Sequence, residues 1–166
     1  DTVAYPFRIG FAKVFDIFYS RGLHSEITFI GSGKLGYPDT ALAAFALGCD
    51  MVNVGREAMM AIGCIQAQRC HTGHCPTGVA TQSMWLSRGL NPSDKSVRVM
   101  NYIDALQDEI LRLCHSVGVT HPALIPESVV EIVNQEGTAV SILNYYGLLS
   151  IDQRLQETDF DYLEAI

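Results

Sequence analysis

Charge is scarce in this 166-residue sequence. Only 17% of the residues are Asp, Glu, Lys or Arg and 48% are hydrophobic, against the roughly 25% charge usual in globular domains. Such a composition excludes a disordered chain and implies a packed core. Positive charge is scarcer still. The 11 Lys and Arg are outnumbered by 18 Asp and Glu, and a net charge of -7 repels a phosphate backbone, which excludes nucleic acid as the expected partner. No apolar run reaches the ~18–20 residues of a membrane-spanning helix, and no signal-peptide pattern is present, so no membrane association is expected. An even cysteine count is also missing. Five cysteines, three of them crowded together, do not make a secreted disulfide framework, and a reducing, cytoplasmic setting is expected.

What is present is an alternation of element types. From Pro6 to Arg21, the apolar Ile9, Phe11, Val14, Phe15 and Phe18 recur at helical spacing, and Gly22 follows as a C-cap. "EITFIG", Glu26 to Gly31, has the β-branched and aromatic profile of a buried strand. "GSGKLG", Gly31 to Gly36, is a glycine-rich turn; Pro38 then opens a helix whose formers run from Ala41 to Leu47, and Gly48 stops it. "DMVNVG", Asp50 to Gly55, reads as a second buried strand, and "REAMMAIG" starts another helix.

This order implies βαβ units around a parallel sheet. Two strands cannot close a barrel, and a complete (β/α)8 barrel takes ~250 residues. With its start at Asp1 already inside a helical pattern, the chain is expected to be a piece of a longer one, with further strands before it. The expected fold is α/β: about the last two βα units of a TIM barrel with a cysteine loop (residues 1–90), followed by a mostly helical extension (91–166). In the extension, Val99, Ile103, Leu106, Ile110, Leu113 and Val117 form one helical stripe, with Ser93 or Asp94 as cap and Gly118 as stop. Pro126 to Gln135 and Thr138 to Tyr146 are further helix candidates, and the acidic end "ETDFDYLEAI" carries no recognisable chemistry.

Two features point to ligands. Gly31, Ser32, Gly33 and Lys34, and again Gly55 and Arg56, follow the two strands and open onto helices. Backbone N–H groups unpaired at such a junction favour an anion, and the adjacent Lys34 and Arg56 add positive charge, so a phosphate-bearing ligand is expected there. The second feature is "CIQAQRCHTGHCPTGVATQ", in which Cys64, Cys70 and Cys75 are spaced C-x5-C-x4-C and followed by proline. Zinc prefers tighter pairs and would need His71 or His74 as a fourth ligand. A redox pair would more often be C-x-x-C. Three thiolates suit a 3Fe-4S cluster, one for each iron.

The stretch from Gly31 through C-x5-C-x4-C-P-x-G-V-A-T-Q resembles the end of the flavin barrel of glutamate synthases, above all the shorter FMN-binding proteins of that family, and the likeness runs from about Pro6 to Leu124. The resemblance implies that Cys64, Cys70 and Cys75 hold a 3Fe-4S cluster and that the two glycine turns hold the FMN phosphate. It also implies an oxidoreductase in which electrons pass through the cluster to FMN and on to the imine of 2-oxoglutarate, giving L-glutamate. Implied partners are 2-oxoglutarate, ammonia or glutamine-derived nitrogen, and an electron donor, either ferredoxin or a reductase subunit. Where many flavin barrels have Asp-Gly-Gly, this chain has Gly31-Ser32-Gly33. Groups facing the flavin ring and the 2-oxo acid belong to earlier strands, so no catalytic residue is assigned and the 166 residues alone are expected to be inactive.

Two alternatives stay open: a related FMN barrel with another substrate, and a zinc-stabilised interaction module that docks a partner on its long helix. Elsewhere the residues have structural readings. Cys49 and Cys114 are expected to be packed thiols, and His24, His115 and His121 loop or helix-end residues. His71 and His74 are expected to hydrogen-bond around the cluster, and Met84 and Trp85 to anchor the following loop by burial.

Overall fold

The computed structural model describes residues 5–147; the acidic end, residues 157–166, lies outside them. Helix α1 (Phe7–Tyr19) forms where the aromatic periodicity predicts it. Its Phe11, Phe15 and Phe18 surround Phe29 edge-on at centroid distances of 6.0, 5.2 and 5.7 Å, an arrangement favoured by ring quadrupoles. Val14, counted in the same apolar set, faces outward.

Strands β1 (Ile30–Ser32) and β2 (Met51–Asn53) pair in parallel, with Gly31 opposite Val52. The first strand is shorter than expected: Glu26 belongs to a 3-10 turn (His24–Glu26), and residues 27–29 lie outside the ladder. Just before the ladder, the Phe29 amide donates to Asp50 Oδ2 at 2.7 Å and the Asp50 amide donates to the Phe29 carbonyl at 2.9 Å. Both strands were expected to be buried, yet Ile30 and Met51 are exposed. A two-stranded sheet has an open edge on each side, and α2 covers only part of it.

Helix α2 (Pro38–Ala46), with proline in its first turn, is the hub of the packing. Its alanines are small enough to let neighbours close in from several directions, and it contributes to three hydrophobic clusters. Ala41 and Ala46 meet Leu106, Ile110 and Cys114; Ala43 meets Ala12, Ile142 and Leu143; Ala44 meets Leu35 and Cys49. Its stop at Gly48 is required, for φ is +106° and a Cβ there would run into the Phe15 ring.

Helix α3 (Arg56–Ala61) leads into the cysteine loop, and α4 (Pro92–Ser116) crosses α2 and α3. The α4 cap is Asn91, whose side chain accepts from the Ser93 amide at 3.1 Å, in place of the expected Ser93 or Asp94. Pro92 takes the first helical position, which moves the cap one residue ahead of it. The buried line is Leu106, Ile110 and Cys114, while Val117 is exposed at the end of the stripe.

The expected helix from Pro126 to Gln135 does not form. Apart from a 3-10 turn at Glu127–Val129, this region pairs β3 (Glu131–Val133) antiparallel to β4 (Ala139–Ser141). Asn134 Oδ1 accepts from the amides of Glu136 and Thr138 at 2.9 Å, and Gly137 has φ +80°. A turn closed by asparagine and glycine between β-branched runs outweighs the helical spacing. Only the second half of the other candidate is helical, as α5 (Ile142–Tyr146), capped by Ser141. The fold is therefore mixed α/β, with a parallel pair and a separate hairpin. No helix among the described residues is long and apolar enough to cross a membrane.

Candidate functional site

Because β1 and β2 run parallel and in register, their carboxyl ends lie side by side, and the two glycine turns leave the ladder at the same end. Ligands of α/β proteins collect at such carboxyl ends. Gly31 is buried, whereas Ser32, Gly33, Lys34, Gly55 and Arg56 are exposed. Neither Lys34 nor Arg56 is in an ion pair among the described residues. Lys34 holds a left-handed φ of +60°, a strained setting for a residue with a side chain.

The two turns are glycine-rich for different reasons. A Cβ on Gly33 would stand 2.5 Å from Cβ of Phe7, so that glycine admits the start of α1. A Cβ on Gly55 would meet nothing within 4 Å, so no packing inside the described residues demands glycine there.

Behind the turns is a contact the sequence did not signal. The Tyr102 hydroxyl of α4 donates to the Gly36 carbonyl at 2.7 Å. Glu57, 7% exposed, packs against the same glycine, and it is the one buried charged side chain among the described residues. Burial, then the Glu57 carboxylate and Tyr37, push the Tyr102 phenol above its ordinary range. The only available sign of this was that Tyr102 precedes Leu106 by four positions, in line with the buried face.

The cysteine loop follows α3 directly. Cys64 is half-buried: its amide donates to the Met59 carbonyl at 3.0 Å, and its sulfur accepts from the Gln66 amide at 3.4 Å. Cys70 begins a 3-10 turn and is exposed. Cys75 is covered, with its sulfur 3.4 Å from Thr77 Oγ1. That hydroxyl, together with the amides of Ala80, Thr77 and Val79, draws the Cys75 thiol down to about 7, which favours the thiolate a metal requires. All three cysteines are free thiols. Among the described residues no group of three or more His, Cys, Asp and Glu is placed to hold a metal ion. Thiolates of a polynuclear cluster each bind a separate iron, so they need not meet at one point.

The imidazole of His74 is held by its own turn, with Nδ1 2.8 Å from the Thr72 carbonyl. Met84 and Trp85 do not anchor the loop by burial; they are 83% and 73% exposed. The loop is anchored through its backbone. Gly78 has φ +79°, and a Cβ there would collide with the Leu86 carbonyl, while a Cβ on Gly89 would lie 2.9 Å from the Thr77 carbonyl oxygen. Two glycines thus let the segments touch with no need for the indole, which carries the Arg88 guanidinium over its face at 5.4 Å.

The readings of Cys49, Cys114, His24, His115 and His121 agree with the geometry. Cys49 and Cys114 are buried, and His121 accepts from the Ala123 amide at the start of a 3-10 turn. His115 is in the last turn of α4, and His24 stacks on Tyr19 at 4.2 Å.

Residues 1–120 match a family described as the conserved region in glutamate synthase. The chain is 35% identical over 144 residues to the glutamate synthase large subunit-like protein YerD of Bacillus subtilis, covering 87% of this chain and 27% of that protein. It is 38% identical over 119 residues to the archaeal glutamate synthase [NADPH] of Methanocaldococcus jannaschii, covering 72% of this chain and 23% of the relative. With the ferredoxin-dependent glutamate synthase of Antithamnion sp. it shares 30% over 115 residues, 7% of that protein's length. The chain thus spans about a quarter or less of these relatives.

Proposed function

The chain belongs to the glutamate synthase family, and from that premise we propose that it forms the phosphate-holding and cluster-bearing end of a flavin barrel in a cytoplasmic enzyme that makes L-glutamate. The observation that carries this reading is the parallel register of β1 and β2, with both glycine turns at one end and the cysteine loop leaving the helix that follows the second turn. In this reading Gly31, Ser32, Gly33 and Lys34, with Gly55 and Arg56, hold the FMN phosphate. Backbone amides and the Ser32 hydroxyl donate to it, and Lys34 and Arg56 neutralise it. The open space beside Gly55 fits a ligand approaching the backbone.

Cys64, Cys70 and Cys75 would hold a 3Fe-4S cluster. The free thiols, and the thiolate-stabilising donors around Cys75, fit that role. When bound, these cofactors supply the electron and hydride transfer by which 2-oxoglutarate, ammonia, two electrons and two protons become L-glutamate and water. Two relatives bear NADPH and ferredoxin in their names, which supports a ferredoxin or a reductase subunit as the electron donor. The nitrogen would arrive as ammonia, free or released from glutamine.

Anaerobic purification of the intact protein, followed by iron, sulfide and flavin analysis, tests the proposal. A brown protein with FMN and a 3Fe-4S cluster is expected. A colourless one holding stoichiometric zinc would instead support a metal-stabilised interaction module, and FMN without 2-oxoglutarate turnover would point to another substrate.

A further inference from the structure

We infer that Tyr102 is a positioning residue for both glycine turns, so that helix α4 determines how firmly they are held without contributing a ligand contact of its own. The inference rests on the phosphate site proposed above. Its basis is a junction of three elements. The Tyr102 hydroxyl donates to the Gly36 carbonyl at 2.7 Å, across 66 residues of sequence. Among the described residues it is the only hydrogen bond from an α4 side chain to another element. Gly36 is buried at the end of the first turn, two residues after Lys34. A Cβ on Gly36 would stand 2.6 Å from Cβ, Cγ and Oε2 of Glu57, and Glu57 directly follows Arg56 of the second turn.

The two turns therefore lean on one another through a glycine–glutamate contact, and the Tyr102 hydroxyl ties that junction to α4 by a hydrogen bond. Lys34, with φ +60°, needs such a constraint, because a strained backbone persists only where its surroundings over-determine it. On the other side of the junction a cavity of about 390 Å³ opens, lined by Tyr37, Met60 and Leu106 among others. Once the bond is cut, the loop has room to move. A rigid turn presents its amides to an anion already aligned; a mobile one must be ordered when the anion binds.

The test uses the intact protein. Tyr102→Phe removes the hydroxyl and keeps the ring, and Gly36→Ala wedges Glu57 away as a second, independent disturbance. Amide hydrogen exchange is followed at residues 33–37 and 55–58, with the thermal midpoint and FMN affinity measured alongside. Both variants should exchange faster at the two segments while the rest of the protein keeps its rates, and FMN should dissociate roughly tenfold more readily, the effect of one hydrogen bond. Exchange that quickens uniformly with a lowered midpoint would mean that Tyr102 is only a packing residue. Local quickening without a change in FMN affinity would also overturn the inference. If the wild-type protein binds no FMN, the phosphate reading fails by itself, and the exchange pattern still decides whether Tyr102 holds the turns.

Discussion

The Cys49 thiol occupies the space that a side chain on Gly31 would need. A Cβ built on Gly31 would lie 2.7 Å from Cys49 Sγ, with the Phe7 ring at 2.9 Å and Leu35 at 3.2 Å. The residue that follows the Gly48 helix stop thus buttresses the first glycine of the first turn, and α1 closes the same spot from the other side. The turn is fastened into the core at Gly31, faces outward at Ser32, Gly33 and Lys34, and returns to the interior at Leu35 and Gly36.

Gly31→Ala should accordingly destabilise the protein by about 1–3 kcal/mol through overpacking, read from chemical denaturation of the intact protein. In a Cys49→Ala background the penalty should shrink by roughly 0.5 kcal/mol or more, since residues in contact are not additive. Equal penalties in both backgrounds would show that the thiol is not what fills the space.

Cys49 should also be the slow thiol. Burial, followed by the Asp50 charge and partly offset by the Gly31 amide, pushes its pKa from the usual 9.0 up to about 12. Below pH 9 the group is neutral in both folded and unfolded chains and costs nothing. Above it the unfolded chain ionises while the folded one resists, so stability is lost as pH rises from about 9 towards 12. At pH 8 a thiol reagent should label the exposed Cys70 of cluster-free protein well before Cys49. Comparable labelling rates at the two positions, read by peptide mass spectrometry, would contradict the buried placement.

The cluster assignment predicts a division among the five cysteines. Replacing Cys64, Cys70 or Cys75 by serine should each abolish the low-temperature EPR signal of the oxidised cluster in the intact protein. Cys49→Ser and Cys114→Ser should leave it in place. Retention of a full signal in all three loop variants would remove the cluster from this site.

Gly55→Val and Arg56→Glu give a cleaner test of the phosphate site than any change at Gly33. A side chain at Gly55 meets nothing in the described fold, whereas one at Gly33 collides with Phe7. Loss of affinity in Gly55→Val therefore reports on the ligand. Each variant should weaken FMN binding by roughly tenfold or more, the range of a charge-assisted contact, with the thermal midpoint of the FMN-free protein changed by little. Wild-type affinity in both would dismiss the two turns as a phosphate site.

Much of the local structure was legible in the residues. The aromatic spacing of α1, the proline that opens α2, the glycine that stops it and the crowding of three thiols in twelve positions each describe a stretch no longer than about a dozen residues. Within such a stretch, backbone geometry fixes which side chains share a face. The hairpin from Glu131 to Ser141 is not legible in the same way, because its apolar spacing suits a helix as well as a strand. Its turn is decided by Asn134 and Gly137, residues that periodicity does not weigh.

By itself, then, the sequence determined the order of helices and strands in the first half, where the glycine turns fall and which residues carry thiols and positive charge. Tertiary structure alone decided that Gly33 makes way for Phe7, that Tyr102 reaches Gly36 across 66 residues, that Glu57 is buried behind both turns and that Trp85 stays outside. The physical reason is one of range. Propensity, capping and turn chemistry act within a few residues, whereas a packing partner is chosen by how the whole chain closes on itself, and no short pattern encodes that closure.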